Sequence, residues 1–371
     1  MAGLYIHIPF CASRCIYCGF YSTTRRALRR RYTGALCREL AIRRDYLHEP
    51  VRTIYIGGGT PSLLDEEQLA QLFGNIDCSG ATEITMECNP DDITPEYAAM
   101  IGRLPVNRVS MGAQTFNDDM LKFIRRRHTS GDIRRAVTLL RHAGIDNISI
   151  DLMYGFPGET MDGWRNDIDR ALALGVEHLS AYCLTFEEDT PLHRMLTEGK
   201  IKEADEELSA AMYSALTDRL AAAGYEHYEI SNFARPGRRS RHNSGYWTAV
   251  PYMGIGAAAH SFDGASRQWN VADIDGYMTA IERGELPAER EILDRDTRYN
   301  DTVMLRLRTS EGISLDYLAR NFGERYLNTC LAAARKYIGD GMLEHTPDGR
   351  LRLTRRGLFV SDMIMSDLMV V

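Results

Sequence analysis

Over about its first 230 residues, this chain alternates short apolar, strand-like runs with amphipathic helical stretches, and this order is its strongest constraint on fold. The strand-like runs are Leu4–Ile8, Thr53–Ile56, Glu83–Cys88, Arg108–Met111, Asn147–Leu152 and His178–Leu184. A βαβα order predicts a parallel sheet, and right-handed crossovers curve such a sheet towards a barrel. Six units are too few for a complete eight-stranded barrel. We therefore expect an α/β fold, a partial (β/α)6 TIM-like barrel that is open on one side.

The alternation stops near residue 235, which predicts three parts in the 371-residue chain. We expect the partial barrel over 1–234 and a connecting segment over 235–296, which contains the run His242-Asn-Ser-Gly-Tyr-Trp247. Residues 297–371 show helical stretches followed by two short strand-like runs around an Asp348-Gly turn. This pattern predicts a C-terminal, mainly helical, winged-helix-like domain.

Three cysteines, Cys11, Cys15 and Cys18, lie in one short turn after the first strand-like run. Four-iron clusters are normally held by four thiolates, so three local thiols predict an iron–sulfur cluster with one iron open to a small ligand. A zinc site with His7 as fourth ligand is the alternative, because structural zinc needs four ligands. We expect no disulfide here, because the chain begins without a secretory signal.

Other unusual residues follow the strand-like runs, where barrel active sites gather. Gly57-Gly-Gly-Thr60 follows the second run, and its exposed backbone groups suit a ligand that carries an ammonium and a carboxylate. The polar side chains at the other strand ends suit the same ligand, although each alone is equally typical of helix capping. These residues are Glu87, Gln114, Arg126 and Asp151, and Thr185 ends the sixth run.

The run His242-Asn-Ser-Gly-Tyr-Trp247 is a second candidate site. Histidine is a common axial ligand of haem iron, and aromatic rings stack on porphyrins. The alternative is a loop whose histidine bonds a backbone carbonyl and whose tryptophan anchors it to the barrel.

The composition of the chain limits the partners and the cellular location that we expect. A net charge of −7 gives no overall basic surface, so we expect no nucleic-acid partner. No apolar run approaches the roughly 20 residues of a membrane span, so any membrane contact would be peripheral. Eight cysteines without a secretory signal predict a cytoplasmic protein.

Taken together, these motifs resemble the radical S-adenosylmethionine (SAM) superfamily. The strings that carry the resemblance are Cys-x-x-x-Cys-x-x-Cys, Gly-Gly-Gly-Thr-Pro, Tyr5-Ile-His-Ile-Pro-Phe-Cys11, Ser110-Met-Gly-Ala-Gln-Thr-Phe116 and Asp151-Leu-Met-Tyr-Gly-Phe-Pro-Gly158. The last three are similar to the branch that contains oxygen-independent coproporphyrinogen III oxidase. The resemblance implies a barrel of the radical SAM type and a [4Fe–4S] cluster on Cys11, Cys15 and Cys18. It also implies S-adenosylmethionine among Tyr5, Gly58, Gly59, Thr60, Glu87, Gln114, Arg126, Asp151 and Thr185.

Two departures from the oxidase pattern favour one subgroup. Phe20 stands where the oxidase has a further cysteine, and only ten residues precede Cys11. With the motif that begins at His242, these features resemble the HemW-type haem chaperones. That resemblance implies that His242 contacts haem b, that haem is delivered to respiratory proteins, that a partner reduces the cluster, and that the chain forms a homodimer. The alternative is the enzyme itself, which oxidatively decarboxylates coproporphyrinogen III, and the residues leave open whether the chain is an enzyme.

Overall fold

The structure is a computed structural model that describes residues 1–370. The six expected strands lie side by side in chain order, and their five pairings are all parallel. They are β1 (Ala2–Ile8), β2 (Val51–Gly58), β3 (Glu83–Cys88), β4 (Arg108–Gln114), β5 (Ile148–Tyr154) and β6 (His178–Cys183). The predicted partial α/β barrel is therefore confirmed.

Helices connect these strands and follow the sixth. They are α1 (Arg29–Ile42), α2 (Glu66–Phe73), α3 (Pro95–Ile101), α4 (Asp118–Phe123), α5 (Ser130–His142), α6 (Met161–Ala173), α7 (Pro191–Thr197) and α8 (Glu206–Ala222). Local signals fix their starts: α2 begins at a capping box between Asp65 and Gln68, and Thr160 caps α6. Single 3-10 turns occupy Arg26–Leu28, Pro61–Leu63 and Pro90–Asp92.

The parallel strands form the centre of a larger sheet of twelve strands. The added strands are β7 (Glu226–Glu229), β8 (Asn232–Ala234), β9 (Tyr252–Ile255), β10 (His260–Phe262), β11 (Ser266–Asn270) and β12 (Ala288–Ile292). β8 pairs antiparallel with β6, whereas β9 pairs parallel with β1. Residues 235–296, the expected connecting segment, thus contribute four strands beside β1, together with α9 (Arg241–Trp247) and α10 (Ile274–Glu282).

The C-terminal part has its own apolar core, built around Tyr299, Val303 and Leu318. Its helices are α11 (Arg295–Leu307), α12 (Leu315–Phe322), α13 (Glu324–Gly339), α14 (Arg355–Leu358) and α15 (Ser361–Leu368). Its strands are β13 (Ile313–Ser314), β14 (Leu343–His345) and β15 (Arg350–Leu353), in the order β13-β15-β14. Helices followed by a small antiparallel sheet match the expected mainly helical, winged-helix-like domain. No helix within residues 1–370 has both the length and the hydropathy that a bilayer crossing needs.

Candidate functional site

The inner face of the barrel is polar, which separates it from closed barrels whose interior is packed with branched apolar side chains. Side chains alternate along each strand, and the alternate set that faces the helices is apolar and buried. Except at Val51 and Met153, near the ends of their strands, the inward set is polar, aromatic or glycine: Gly3, Tyr5, His7, Thr53, Tyr55, Gly57, Glu83, Thr85, Glu87, Arg108, Ser110, Gly112, Ser149, Asp151, His178, Ser180 and Tyr182. Such a lining is suited to binding a polar ligand.

The three cysteines lie in the loop after β1, and all three thiols are free and partly exposed. Ile16, between the second and third cysteine, is buried in a small apolar cluster with Ile124 and Leu192. Backbone hydrogen bonds join Ile16 to both of these residues. A buried apolar residue therefore anchors the loop and leaves its thiols at the rim.

Burial raises the pKa of the Cys11 and Cys18 thiols, so thiolates in this loop need nearby positive charge or donors. Two donors reach the sulfurs: the Thr60 hydroxyl lies 3.8 Å from Cys11 Sγ, and Arg126 Nη1 lies 3.7 Å from Cys15 Sγ. Arg126 Nε is buried and has no hydrogen-bond partner within residues 1–370. The loop is thus equipped to stabilise negative sulfur ligands.

The side chains around this loop indicate which kind of metal centre it can hold. Among residues 1–370, no three His, Cys, Asp or Glu side chains converge as a single ion would require. His7, the expected fourth ligand of a zinc site, has both ring nitrogens occupied: Nδ1 by the Tyr5 hydroxyl at 2.9 Å and Nε2 by the Tyr21 carbonyl at 3.1 Å. This geometry does not support the zinc alternative. Three separated thiols fit a multi-iron cluster, in which each thiolate binds a different iron.

The glycine turn after β2 packs against the cysteine loop. Gly58 has φ of +114°, and a Cβ there would lie 2.6 Å from His7 Nδ1. A Cβ on Gly59 would lie 2.8 Å from the Phe10 carbonyl oxygen. Only glycine allows this approach of the two loops.

Glu87, at the end of β3, holds the glycine turn from inside the barrel. Its carboxylate accepts hydrogen bonds from the Tyr55 hydroxyl at 2.7 Å and from the Gly58 N–H at 3.0 Å. Burial raises the pKa of Glu87 to about 7, although the Tyr55 hydroxyl opposes this shift. Glu87 is therefore a carboxyl whose charge changes near neutral pH.

Gln114 and Arg126 meet at the end of β4. Gln114 adopts the left-handed region, with φ of +66°, next to an irregularity in the pairing with β5. A Cβ on Gly112 would lie 2.7 Å from Gln114 Nε2 and 3.0 Å from Arg126 Nη2, so glycine leaves room for both side chains. On the neighbouring strand, burial raises the pKa of Asp151 to about 6, against the effect of the Ser180 hydroxyl.

Asn89 was not among the predicted site residues. It accepts from Arg126 Nη2 at 2.8 Å, and its own amide donates to Thr60 Oγ1 at 3.5 Å. It thereby joins the donor to Cys15 with the donor to Cys11. The signal for it was present, because it follows a predicted strand end in the run Glu87-Cys-Asn-Pro90.

Thr185 and Tyr5 lie at different depths of the barrel. Thr185 is exposed, and its hydroxyl donates to Glu187 Oε1 at 3.1 Å. Tyr5 lies further inside, on β1, where its ring faces Tyr55 at a centroid distance of 6.2 Å.

His242 lies at the other end of the barrel from the cysteines. It is 3% exposed, and both ring nitrogens are occupied: Nδ1 by the Thr53 hydroxyl and Nε2 by the Tyr246 hydroxyl, each at 2.9 Å. Glu83 accepts from the backbone N–H groups of Arg241 and His242 and so fixes the start of α9. This helix plugs the barrel at the N-terminal ends of its strands, and the structure does not bring His242 to the rim.

Comparisons with known proteins agree with this architecture. Residues 5–171 match the Radical SAM superfamily, and residues 293–360 match the HemN C-terminal domain. The protein named heme chaperone HemW of Mycobacterium tuberculosis is 36% identical, over 99% of this chain and 94% of that protein. The protein of the same name in Bacillus subtilis is 34% identical, over 98% of each chain. A solved structure of Escherichia coli coproporphyrinogen III oxidase, HemN, has a TM-score of 0.86 at 21% identity and covers 100% of this chain and 90% of that one.

Proposed function

Because the chain belongs to the HemW family of the radical SAM superfamily, we propose that it is a haem chaperone, which binds haem b and delivers it to haem-dependent respiratory proteins. The observation that carries this proposal is similarity along the whole chain to proteins named heme chaperone HemW, through the barrel and the C-terminal domain alike. Phe20 supports it, because this exposed side chain replaces the additional cysteine of the oxidase pattern.

We propose that Cys11, Cys15 and Cys18 hold a [4Fe–4S] cluster. Such a cluster supplies single electrons, which in this superfamily cleave the sulfonium of S-adenosylmethionine. The chain's own contribution is to position and stabilise the thiolates: Ile16 anchors the loop, and Thr60 and Arg126 donate to two of the sulfurs. Hydrogen bonds to cluster sulfurs tune reduction potential.

We propose that S-adenosylmethionine binds above the barrel interior, between the cysteine loop and the strand ends. Glu87 and Asp151, when ionised, complement its ammonium and sulfonium charges, and Gln114 offers an amide beside Arg126. The tight turn at Gly58 and Gly59, with Thr60, brings backbone groups to the same edge. Tyr5 and Thr185 complete the proposed set, Tyr5 from inside and Thr185 from the exposed rim.

We propose that His242 affects haem binding by fixing the barrel floor. Direct contact with haem iron would require it to give up its hydrogen bond with Thr53 or Tyr246. The role is therefore that of a positioning residue in the motif that ends at Trp247.

The family also suggests a cellular location, an electron donor and an oligomeric state for this protein. We propose that it acts in the cytoplasm, where its eight free cysteines stay reduced, and that an electron donor reduces the cluster there. By analogy with its family we propose a homodimer, which light scattering on the purified protein would test.

A paired experiment separates the chaperone from the oxidase. Anaerobically reconstituted protein is titrated with haem, followed by absorbance, and is incubated in parallel with coproporphyrinogen III, S-adenosylmethionine and a reductant. The proposal expects saturable haem binding and no decarboxylated porphyrinogen by product analysis. Robust decarboxylation would overturn it in favour of the enzyme.

A further inference from the structure

Arg108 is a buried cation without a partner at the start of β4. Its side chain points into the barrel, and the residue is 1% exposed. Its Nε and Nη1 atoms are buried and have no hydrogen-bond partner within residues 1–370, and no described carboxylate forms an ion pair with it. Its register neighbour on β3, Thr85, has a buried hydroxyl that is equally without a partner. Two adjacent inward groups are thus left unsatisfied.

The carboxylates inside the barrel do not need Arg108. Glu83 accepts from two backbone N–H groups at the start of α9, both at 2.9 Å. Glu87 accepts from a phenol and a backbone N–H, and Asp151 faces the hydroxyls of Ser180 and Ser110. Each acid thus has its own neutral donors. The charge of Arg108 lowers the pKa of Glu87 and Asp151 through space, but its guanidinium forms no hydrogen bond or ion pair with either carboxylate.

An unpaired buried charge is costly, because its desolvation is offset only by a close partner with good geometry. A guanidinium binds a carboxylate through two parallel hydrogen bonds, which makes a carboxylate its best-matched ligand. The inner face of β4 between Arg108 and the rim carries only Ser110 and Gly112, whose small side chains take up little of the barrel interior along this strand.

We propose that Arg108 binds the carboxylate of a ligand that enters the barrel interior from the rim. The inference rests on the proposed function, in which two ligands carry this group: S-adenosylmethionine has one carboxylate, and haem has two propionates. Nε and Nη1 would donate to the bound carboxylate, and the Thr85 hydroxyl would complete its surroundings.

The test compares each ligand with its form that lacks a free carboxylate. Wild-type and Arg108→Met proteins, both reconstituted anaerobically, are titrated with S-adenosylmethionine, decarboxylated S-adenosylmethionine, haem and haem dimethyl ester. We expect Arg108→Met to weaken binding of one acid about tenfold or more, the usual effect of losing hydrogen bonds to a charged group, and to leave binding of the form without a free carboxylate unaffected. The affected pair identifies the source of the carboxylate.

A second measurement uses the ligand-free protein. Replacing an unpaired buried charge by an apolar side chain of similar length should raise its melting temperature or leave it unchanged. Arg108→Lys, which keeps the charge but cannot form two parallel hydrogen bonds, should weaken binding of the same acid. The control is Arg52→Met, which removes an exposed arginine of β2 that donates to the Gly80 carbonyl; it should change no affinity.

Equal affinity of the wild-type and Arg108→Met proteins for both acids would overturn the inference while leaving the proposed function intact. If the wild-type protein binds neither haem nor S-adenosylmethionine, the proposed function fails, and the inference fails with it.

Discussion

Arg126 donates to the sulfur of Cys15 across 3.7 Å, although 111 residues separate the two in the chain. The same guanidinium is fixed by Asn89 and by the Gly112 carbonyl, at 2.8 and 2.5 Å, so its position does not depend on the thiol. It therefore presents a pre-oriented positive charge to the cysteine loop.

We expect Arg126→Met to make the midpoint potential of the reconstituted cluster more negative. A positive charge beside a ligand sulfur favours the reduced, more negative cluster, and its removal reverses this. A spectroscopic redox titration measures the change. The control is Arg127→Met, because Arg127 pairs with Asp91 and Asp92 at 2.9 and 2.8 Å. Equal shifts in the two variants would contradict a specific role of Arg126.

Cys15→Ala should abolish the charge-transfer absorbance of the cluster and reduce bound iron and sulfide to near zero. Two thiols do not complete the ligand set that a four-iron cluster requires. Cys183→Ala is the matched control, because Cys183 is also a free and accessible thiol but lies at the end of β6. Loss of the cluster in both variants would point to a general effect on the fold.

Glu87→Gln should stabilise the ligand-free protein at pH 8 and have little effect near pH 4.5. Because the pKa of Glu87 rises from 4.5 to about 7 on folding, its ionisation costs stability as pH increases through this window. The full loss of stability on ionisation of Glu87 is about 3 kcal/mol. The measured gain in the variant will be smaller, because Glu87→Gln also weakens the hydrogen bonds that this side chain accepts. Urea denaturation at both pH values measures it, with the exposed Glu66→Gln as control. A stability difference independent of pH would contradict the shifted pKa.

Binding of S-adenosylmethionine should strengthen between pH 5.5 and 8. The buried carboxyls of Glu87 and Asp151, with pKa values of about 7 and 6, become negative over this range and then attract its positive groups. In the Glu87→Gln protein, the part of the increase above pH 6.5 should disappear. Calorimetric titrations across this range measure the affinity. A pH profile of binding that is the same in the wild-type and Glu87→Gln proteins would exclude Glu87 from the site.

His242→Asn should make stability less sensitive to acid. Burial lowers the pKa of His242 to about 3, so the unfolded chain takes up a proton that the folded protein excludes as pH falls below 6.5. The wild type should lose about 1 to 2 kcal/mol more than the variant between pH 6.5 and 5. Denaturation curves for both proteins, with the exposed His48→Asn as control, measure this difference.

Haem titration of the same variants tests the proposed role of His242. We expect His242→Asn to weaken haem binding and to leave the cluster spectrum intact. Unchanged haem binding would exclude a role of His242 in haem binding.

Much of the rim could be predicted because its signals are local. The cysteines lie within eight consecutive positions, and the glycine turn and the acids follow strand-like runs directly. In a parallel sheet all strand ends of one kind meet at one edge, so chain position alone brings these residues to the same rim.

Other features depend on long-range contacts. The motif at His242 resembles a ligand site in the sequence, but its histidine bonds Thr53, 189 residues away, and closes the barrel floor. The segment around it is expected to be a connection because the strand–helix alternation stops near residue 235, yet β9 pairs with β1. Arginine side chains are mostly exposed in folded proteins, so nothing local in the sequence indicates that Arg108 is buried.

The class of the fold, the family and the positions of the thiols follow from the sequence alone, because hydrophobic periodicity and motif spacing are properties of neighbouring residues. The pairing of the buried charges, in contrast, becomes visible only in the folded protein. Whether Arg126 reaches a sulfur, whether both nitrogens of His242 are occupied, and whether Arg108 is left without a carboxylate all depend on distances between strands that are far apart in the chain.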